Sequence, residues 1–525
     1  MKKSVWFLHL LIIIAVFALL ASCGGTPEET VGTTEGTSEP DVPAVIELFG
    51  GEADDYVIVR GDTASEWEKN GAVAVLKGIK EMTGSMPVIR TDYDGRGGWE
   101  RVPREILVGA TNRSTDCEYP ERDQYGYGGY SITVSGEKII IDASGEPGML
   151  AAVEKFLSLI NLSESADGSK ILTIGKETSV MVSNKIPREK LYDIADKRDL
   201  VAICYSTWFE PIIEQSNNNP ANIAEVLEGK RDWGAEGEFH YWGKPALGYY
   251  RSTDRSVIRT HMTQLAEAGI DFIIIDNTNA VPAWKNVKYK DETTGQTRIY
   301  WDAMVREPGI ALMETIREMR EEGLKTPYVA MWCGCPVDYG TVDTIYSELF
   351  SDGRFDDLWV WWDGKPLFLV TQLHGEREDL TIRMMWGLKS QGVSEWSFLN
   401  YPNHVAYDNN GDAEQVCVCV AVQQGYMSQS GIGRRGGLTF WEQWKTAFAA
   451  RPKVVSITWW NEWAAQRFIV NGESAFVDNY SQEYSRDIEP MEGGHGDTYY
   501  KWMKEYIAAY KSGLDCPKLV DETIG

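Results

Sequence analysis

The stretch Val454-Val455-Ser456-Ile457-Thr458-Trp459-Trp460-Asn461-Glu462-Trp463 constrains this chain more than any other. It begins as an apolar, β-branched run and ends in an amide, a carboxylate and three indoles. Such a run reads as a strand covered on both faces. A carboxylate just beyond the C-terminal end of a strand, among aromatic rings, is where an α/β barrel holds its catalytic groups. Aromatic faces beside a carboxylate also suit a sugar, because the ring stacks while the acid works on the glycosidic oxygen. The alternative makes Trp459, Trp460 and Trp463 only core. Asn461-Glu462 is then a costly polar pair inside it.

The chain before this stretch repeats a rhythm of apolar strand and amphipathic helix. Leu200–Tyr205, Ile270–Ile275, Tyr328–Trp332, Leu367–Val370, Trp396–Leu399 and Val416–Val422 read as strands. The spacing predicts helices over 257–268, around Leu312 to Met319, around Ile345 and Leu349, near Met384 to Leu388, and over 440–450. Alternation of this kind implies parallel pairing through right-handed crossovers. The fold class expected is α/β, a (β/α)₈ TIM-type barrel over 198–513 preceded by a small α/β domain over 46–185. With the opening stretch that makes seven strands, so an eighth is expected between Tyr401 and Val454. An open doubly wound sheet is the other architecture the pattern allows.

Polar and aromatic residues follow the strands. Trp208 and Glu210, Asp276 and Asn277, Gln372 and His374, Asn400, Gln423, then Asn461 and Glu462 fall at strand C-terminal ends. In a barrel these converge on one face. A single polar residue after a strand is usually a turn or a helix cap. A ring of them, with indoles interspersed, reads as a sugar pocket.

The N-terminus reads as an export signal over 1–22. Lys2-Lys3 is the basic start and Val5 to Leu20 the apolar core. Residues 23–45 are rich in Gly, Thr, Glu, Pro and Ser, as in a flexible tether. Residues 514–525 read as a tail. The 525 residues carry 78 acidic against 51 basic side chains, a formal net charge of −27, which argues against nucleic acid as a partner. No nucleotide-binding glycine loop and no metal cluster is legible, so no cofactor and no metal is expected. Cys333, Cys335, Cys417 and Cys419 sit in apolar runs without zinc spacing and read as small buried hydrophobes.

Leu20-Ala21-Ser22-Cys23 resembles the lipobox of bacterial lipoproteins. The resemblance implies cleavage before Cys23, lipidation of that residue, and a protein anchored in the cell envelope outside the cytoplasm. Lys80-Glu81-Met82-Thr83-Gly84, Glu105-Ile106-Leu107-Val108-Gly109 and Gly128-Gly129-Tyr130-Ser131-Ile132 are similar to the small α/β domain that precedes the barrel in β-hexosaminidases and α-glucuronidases. In those families it supports the barrel and performs no chemistry.

Four blocks of the second domain resemble the family-99 glycoside hydrolases, the endo-α-mannosidase group, with family 71 a neighbour. They are Tyr205-Ser206-Thr207-Trp208-Phe209, Phe239-His240-Tyr241-Trp242-Gly243, Tyr250-Arg251-Ser252-Thr253-Asp254 continuing to Ala268-Gly269-Ile270-Asp271, and Val455 to Trp463. The resemblance implies a carbohydrate substrate and a substrate-assisted retaining mechanism with Glu462 as the base. It implies hydrogen bonds to sugar from Asp276, Asn277 and Asn461, and stacking by Trp208, Trp242, Trp332 and Trp460. Glu210, His240, Tyr241, Asn400, Gln423 and Trp463 complete the expected substrate-binding set. The family continues Asn-Glu-Trp-x-Glu, whereas this chain has Ala464 and Ala465. Residues 464–482 therefore read as an insertion, with Glu483 the candidate acid. A non-catalytic glycan-binding lipoprotein on a degenerate barrel is the rival reading, and the two alanines favour it.

Overall fold

The computed structural model describes residues 44–521, apart from 211–224, 227, 231, 233, 235, 238, 292–293, 388–390, 424–430, 471, 478 and 480. The expected signal, Cys23 and the tether up to residue 43 lie outside the described residues. Among the described residues no helix is long and apolar enough to cross a membrane. Contacts divide the chain after Lys185, with Asp352–Arg354 grouped with the first unit.

The first unit is built on a six-stranded sheet. Its order is Ile89–Thr91, Val57–Arg60, Glu105–Val108, Lys138–Ala143, Tyr130–Ser135 and Ser179–Val182. The first four strands are parallel, and the hairpin of Tyr130–Ser135 with Lys138–Ala143 turns the edge antiparallel. A helix over Glu66–Thr83 starts at a capping box of Ser65 and Glu68 and stops at Gly84, whose φ of 82° favours glycine. Its buried Ala72, Val75 and Ile79 pack in one core with Met149, Val153 and Phe156 of the helix Gly145–Leu159.

The second unit is organised by eight strands: β1 (Leu200–Tyr205), β2 (Phe272–Asn277), β3 (Tyr328–Cys333), β4 (Lys365–Val370), β5 (Thr381–Trp386), β6 (Trp396–Ser397), β7 (Ala413–Cys419) and β8 (Val454–Thr458). Parallel ladders link β1 through β6 in chain order, β7 to β8, and β8 back to β1. No backbone ladder joins β6 to β7 among the described residues, so the pairing does not close into a complete barrel. Helices α1 (Arg255–Ala268), α2 (Glu307–Glu321), α3 (Gly340–Ile345), α4 (Leu438–Ala450) and α5 (Thr498–Lys511) complete the unit.

Side chains alternate along each strand with the period of two that a pleat dictates. Ala202, Cys204, Phe272, Ile274, Ala330, Leu367, Leu369, Cys417 and Val454 pack in an inner core. Val201, Ile203, Ile273, Val329, Phe368, Val416 and Val455 pack with the helices in an outer one. Both faces are therefore apolar, which is why these strands read as continuous hydrophobic runs. The cysteines at 333, 335, 417 and 419 are buried thiols, as small hydrophobes would be.

One expectation is overturned. The segment read as a helix near Met384 to Leu388 holds β5, and this is the eighth parallel strand. It does not lie between Tyr401 and Val454. Its alternation was masked by a charge on the inner face: Arg383 lies over the Trp362 ring at 4.4 Å and pairs with Glu414 at 2.8 Å.

Candidate active site

The C-terminal ends of six strands converge on one cavity of about 860 Å³, open solvent included. Ser206 follows β1, Asp276 ends the inner face of β2, and Trp332 comes from β3. Trp386 ends β5, Phe398 follows β6, and Trp459 and Glu462 follow β8. Trp208 and Phe209 come from the loop after β1. Six aromatic rings thus surround two carboxyl groups, Asp276 and Glu462.

Thr278, Asn279 and Gly387 extend these strand ends, and the rest of the wall is the segment read as an insertion. Ala464–Val470 and Glu473–Phe476 form a hairpin that pairs with Phe239–Tyr241. Ala464 and Ala465 are strand residues opposite Tyr241 and His240, and with Gln466 and Val477 they line the cavity.

Glu462 is held from several sides. Its Oε2 accepts from Arg486 Nη2 at 2.6 Å and Nε at 3.1 Å, and its carbonyl accepts from Asn479 Nδ2 at 2.6 Å. Both its neighbours are pinned. Asn461 Oδ1 accepts from the Ser206 amide at 2.8 Å, and Asn461 Nδ2 donates to the Ser206 carbonyl at 3.1 Å. Trp463 Nε1 donates to Glu489 Oε2 at 2.5 Å. Glu489 also accepts from the Tyr250 hydroxyl at 2.8 Å and sits 2.9 Å from His261 Nε2, all of them buried. These bonds satisfy the polar groups whose burial made an all-core reading of Asn461-Glu462 costly. At the end of β2, Asp276 Oδ1 accepts from the Thr278 amide at 2.8 Å. Burial first, then the nearby Cys417, Asp276 and Glu462, push the thiol of Cys204 well above its ordinary value. Both carboxyl groups thus act on one buried inner-face residue.

Several expected site residues stand elsewhere. Trp460 lies in the outer core, edge-on to His261 at 5.6 Å, and is not part of the cavity wall; its neighbour Trp459, equally buried, is. Trp463 stacks on Trp242 at 5.1 Å, and Trp242 Nε1 donates to Asp487 Oδ2 at 2.5 Å, so both indoles belong to the support. Tyr241 is buried and donates to the Tyr250 carbonyl. Glu210 is buried against Arg251 at 3.0 Å and Arg298 at 3.3 Å. Burial raises its carboxyl against the pull of those guanidiniums. Asn277 lies on the outer face of β2 and lines a smaller cavity of about 210 Å³ shared with Trp208 and Asp276. Asn400 accepts from the Phe398 amide at 3.3 Å and does not line the main cavity. His240 and Gln423 end up in short strands, and their side chains lie outside the described residues.

Glu483 is also displaced. Its Oε1 accepts from the Arg435 amide at 2.8 Å, and it is absent from the cavity wall. The cavity offers Asp276 as the second carboxyl instead. Arg486, Trp386, Phe398, Trp459 and Ser206 were missed. Trp386 was hidden by the helix reading of its segment, and nothing local in the sequence marks Arg486.

No family model matches the chain, and no curated protein matches it. Among solved structures it is similar to the GH99 endo-alpha-mannosidase from Bacteroides thetaiotaomicron, at 13% identity over 60% of this chain and 99% of that one, with a TM-score of 0.36. It is similar to a glycoside hydrolase-like protein at 14% identity over 62% and 97%, TM-score 0.33. It is also similar to a GH138 enzyme targeting pectin rhamnogalacturonan II, at 9% identity over 88% and 51%, TM-score 0.27. At scores this low, fold and site rest on the strand pairing and geometry described above.

Proposed function

We propose that this protein is a glycoside hydrolase of (β/α)₈ type, related to family 99, which cleaves a polysaccharide or glycan at the cell surface. The observation that carries the reading is a cavity at strand C-terminal ends with two carboxyl groups inside a ring of six aromatic side chains. Aromatic faces bind the apolar faces of sugar rings, and a carboxyl pair supplies the proton acceptor and the proton donor. Asp276 ends β2 and Glu462 follows β8, and both strands pair with β1, so the two carboxyl groups reach one cavity from nearby strand ends.

Glu462, held by a guanidinium, is the proton acceptor. By the family resemblance it takes the proton of the substrate's 2-hydroxyl, whose oxygen attacks the anomeric carbon. Asp276, protonated, gives its proton to the glycosidic oxygen as the bond to the anomeric carbon breaks. Water then attacks the anomeric carbon of the intermediate: Asp276 takes a proton from the water, and Glu462 returns its proton to the 2-oxygen as that bond to the anomeric carbon breaks, which restores both groups. The lipobox-like Leu20 to Cys23 supports a lipid anchor outside the cytoplasm.

A glycan-binding protein without turnover has one observation on its side: Ala465 lines the cavity where the family's motif carries its second glutamate. The test compares wild type, Glu462→Gln and Asp276→Asn on α-mannans, α-glucans and host-type glycans. Release of reducing ends by wild type, lost in both variants with binding retained, is the expected result. Binding without release by wild type selects the non-catalytic reading.

A further inference from the structure

Arg486 is not part of the cavity wall, yet it is tied to a carboxylate that is. Its side chain is fully buried and bonds Glu462 Oε2 through both Nη2 and Nε. The guanidinium lies 5.3 Å from the Trp459 ring centre and 5.8 Å from that of Phe398, two rings of the cavity wall. Asn479 ties the pair again: its Nδ2 donates to the Glu462 carbonyl and its Oδ1 accepts from the Arg486 amide at 3.2 Å. The Arg486 carbonyl accepts from the Trp459 amide at 3.0 Å, which docks the chain at Arg486 against the end of β8. A buried cation is costly unless paired, and one so placed fixes both the position and the charge of its partner.

We propose that Arg486 is a positioning residue that holds Glu462 as an aimed carboxylate, so that Glu462 accepts the proton and Asp276 donates it. The assignment rests on the hydrolase reading above and divides the two roles between two otherwise similar groups. The direction follows from charge. Removing a guanidinium beside a carboxylate disfavours the ionised form, so protonation moves to higher pH. The titratable groups facing the pair are Asp276 on β2, Cys204 on β1, Cys419 on β7, and Asp487 next in sequence. Burial keeps both thiols neutral. Asp487 titrates higher, at about 7, because it is buried.

The test uses the purified full chain, with Arg486→Met removing the charge and Arg486→Lys keeping it. Arg486→Gln replaces the methionine variant if that one does not fold. The acid limb of kcat/KM against pH is expected to rise by about one unit or more in the uncharged variant. The lysine variant is expected to restore the wild-type limb. kcat should fall at least tenfold in the uncharged variant, with KM within threefold. An unmoved limb in an active, uncharged variant overturns the role of Arg486 and leaves the hydrolase reading standing.

Wild type without turnover defeats the hydrolase reading instead. The Arg486 assignment is then decided by infrared titration of the ¹³C-labelled Glu462 carboxyl, identified by its loss in Glu462→Gln. A titration that shifts upward without the guanidinium supports the assignment, and one that does not move overturns it.

Discussion

Gln415 stands to Ser397 as a neighbouring strand would. Its Oε1 accepts from the Ser397 amide at 2.8 Å and its Nε2 donates to the Ser397 carbonyl at 3.1 Å. Nε2 also reaches Ser456 Oγ on β8 at 2.7 Å. One side chain thus bridges the seam between β6 and β7 where no ladder forms. Gln415→Leu leaves buried backbone groups of Ser397 unsatisfied. It is expected to lower stability by about 2–4 kcal/mol, read as a drop in the urea midpoint at constant slope.

Glu483→Gln tests the displaced acid. The carboxylate serves the Arg435 amide, and an amide oxygen accepts the same bond. Activity is therefore expected within about threefold of wild type, while Asp276→Asn loses at least about 100-fold under the same assay. Equal losses in both would return Glu483 to the chemistry.

Asp487 makes the fold sensitive to pH. Complete burial, opposed by Arg434 and by the Trp242 hydrogen bond, pushes its carboxyl from 3.8 up to about 7. The folded state therefore binds this proton more tightly than the unfolded state. The contribution to stability is fully present below about pH 4 and is lost as pH rises through about 7. Urea unfolding from pH 4 to 8 should show wild type losing a few kcal/mol relative to Asp487→Asn, with the difference levelling off above pH 7. A constant difference across that range would contradict the burial argument.

Trp386 is the most exposed ring of the cavity, at 36%, and lies 5.9 Å from the Trp332 ring. Trp386→Ala is expected to weaken glycan binding by about 10-fold, roughly 1.4 kcal/mol, through loss of a stacking face. Its thermal midpoint should change little, because half-exposed surface adds little to the core. Calorimetric titration with a bound glycan on Glu462→Gln and on Glu462→Gln with Trp386→Ala measures the difference.

The parallel strands and most of the helices between them were legible because doubly covered strands are apolar along their whole length. β1 to β4 and β8 are of this kind over most of their length, and β7 over Val416 to Cys419. β5 was not, because Arg383 interrupts it and only its contact with Glu414 explains the charge. Glu462 and Asp276 were legible as polar residues at strand ends, where a turn rule and a pocket rule give the same residue types.

The sequence by itself determined the alternation of strand and helix, the placing of Asp276 at a strand end, and the placing of Glu462 beyond the last strand. These depend on residues close together in the chain, through the strand period of two and the turns that follow. Only the tertiary structure decided which indole of Trp459 and Trp460 faces the cavity, and that Asp276, not Glu483, shares it with Glu462. It also decided that Arg486, 24 residues on, holds that carboxylate. Those relations join residues far apart in sequence. They arise where the hairpin 464–476 returns the chain to the mouth of the strands, and no local spacing encodes that return.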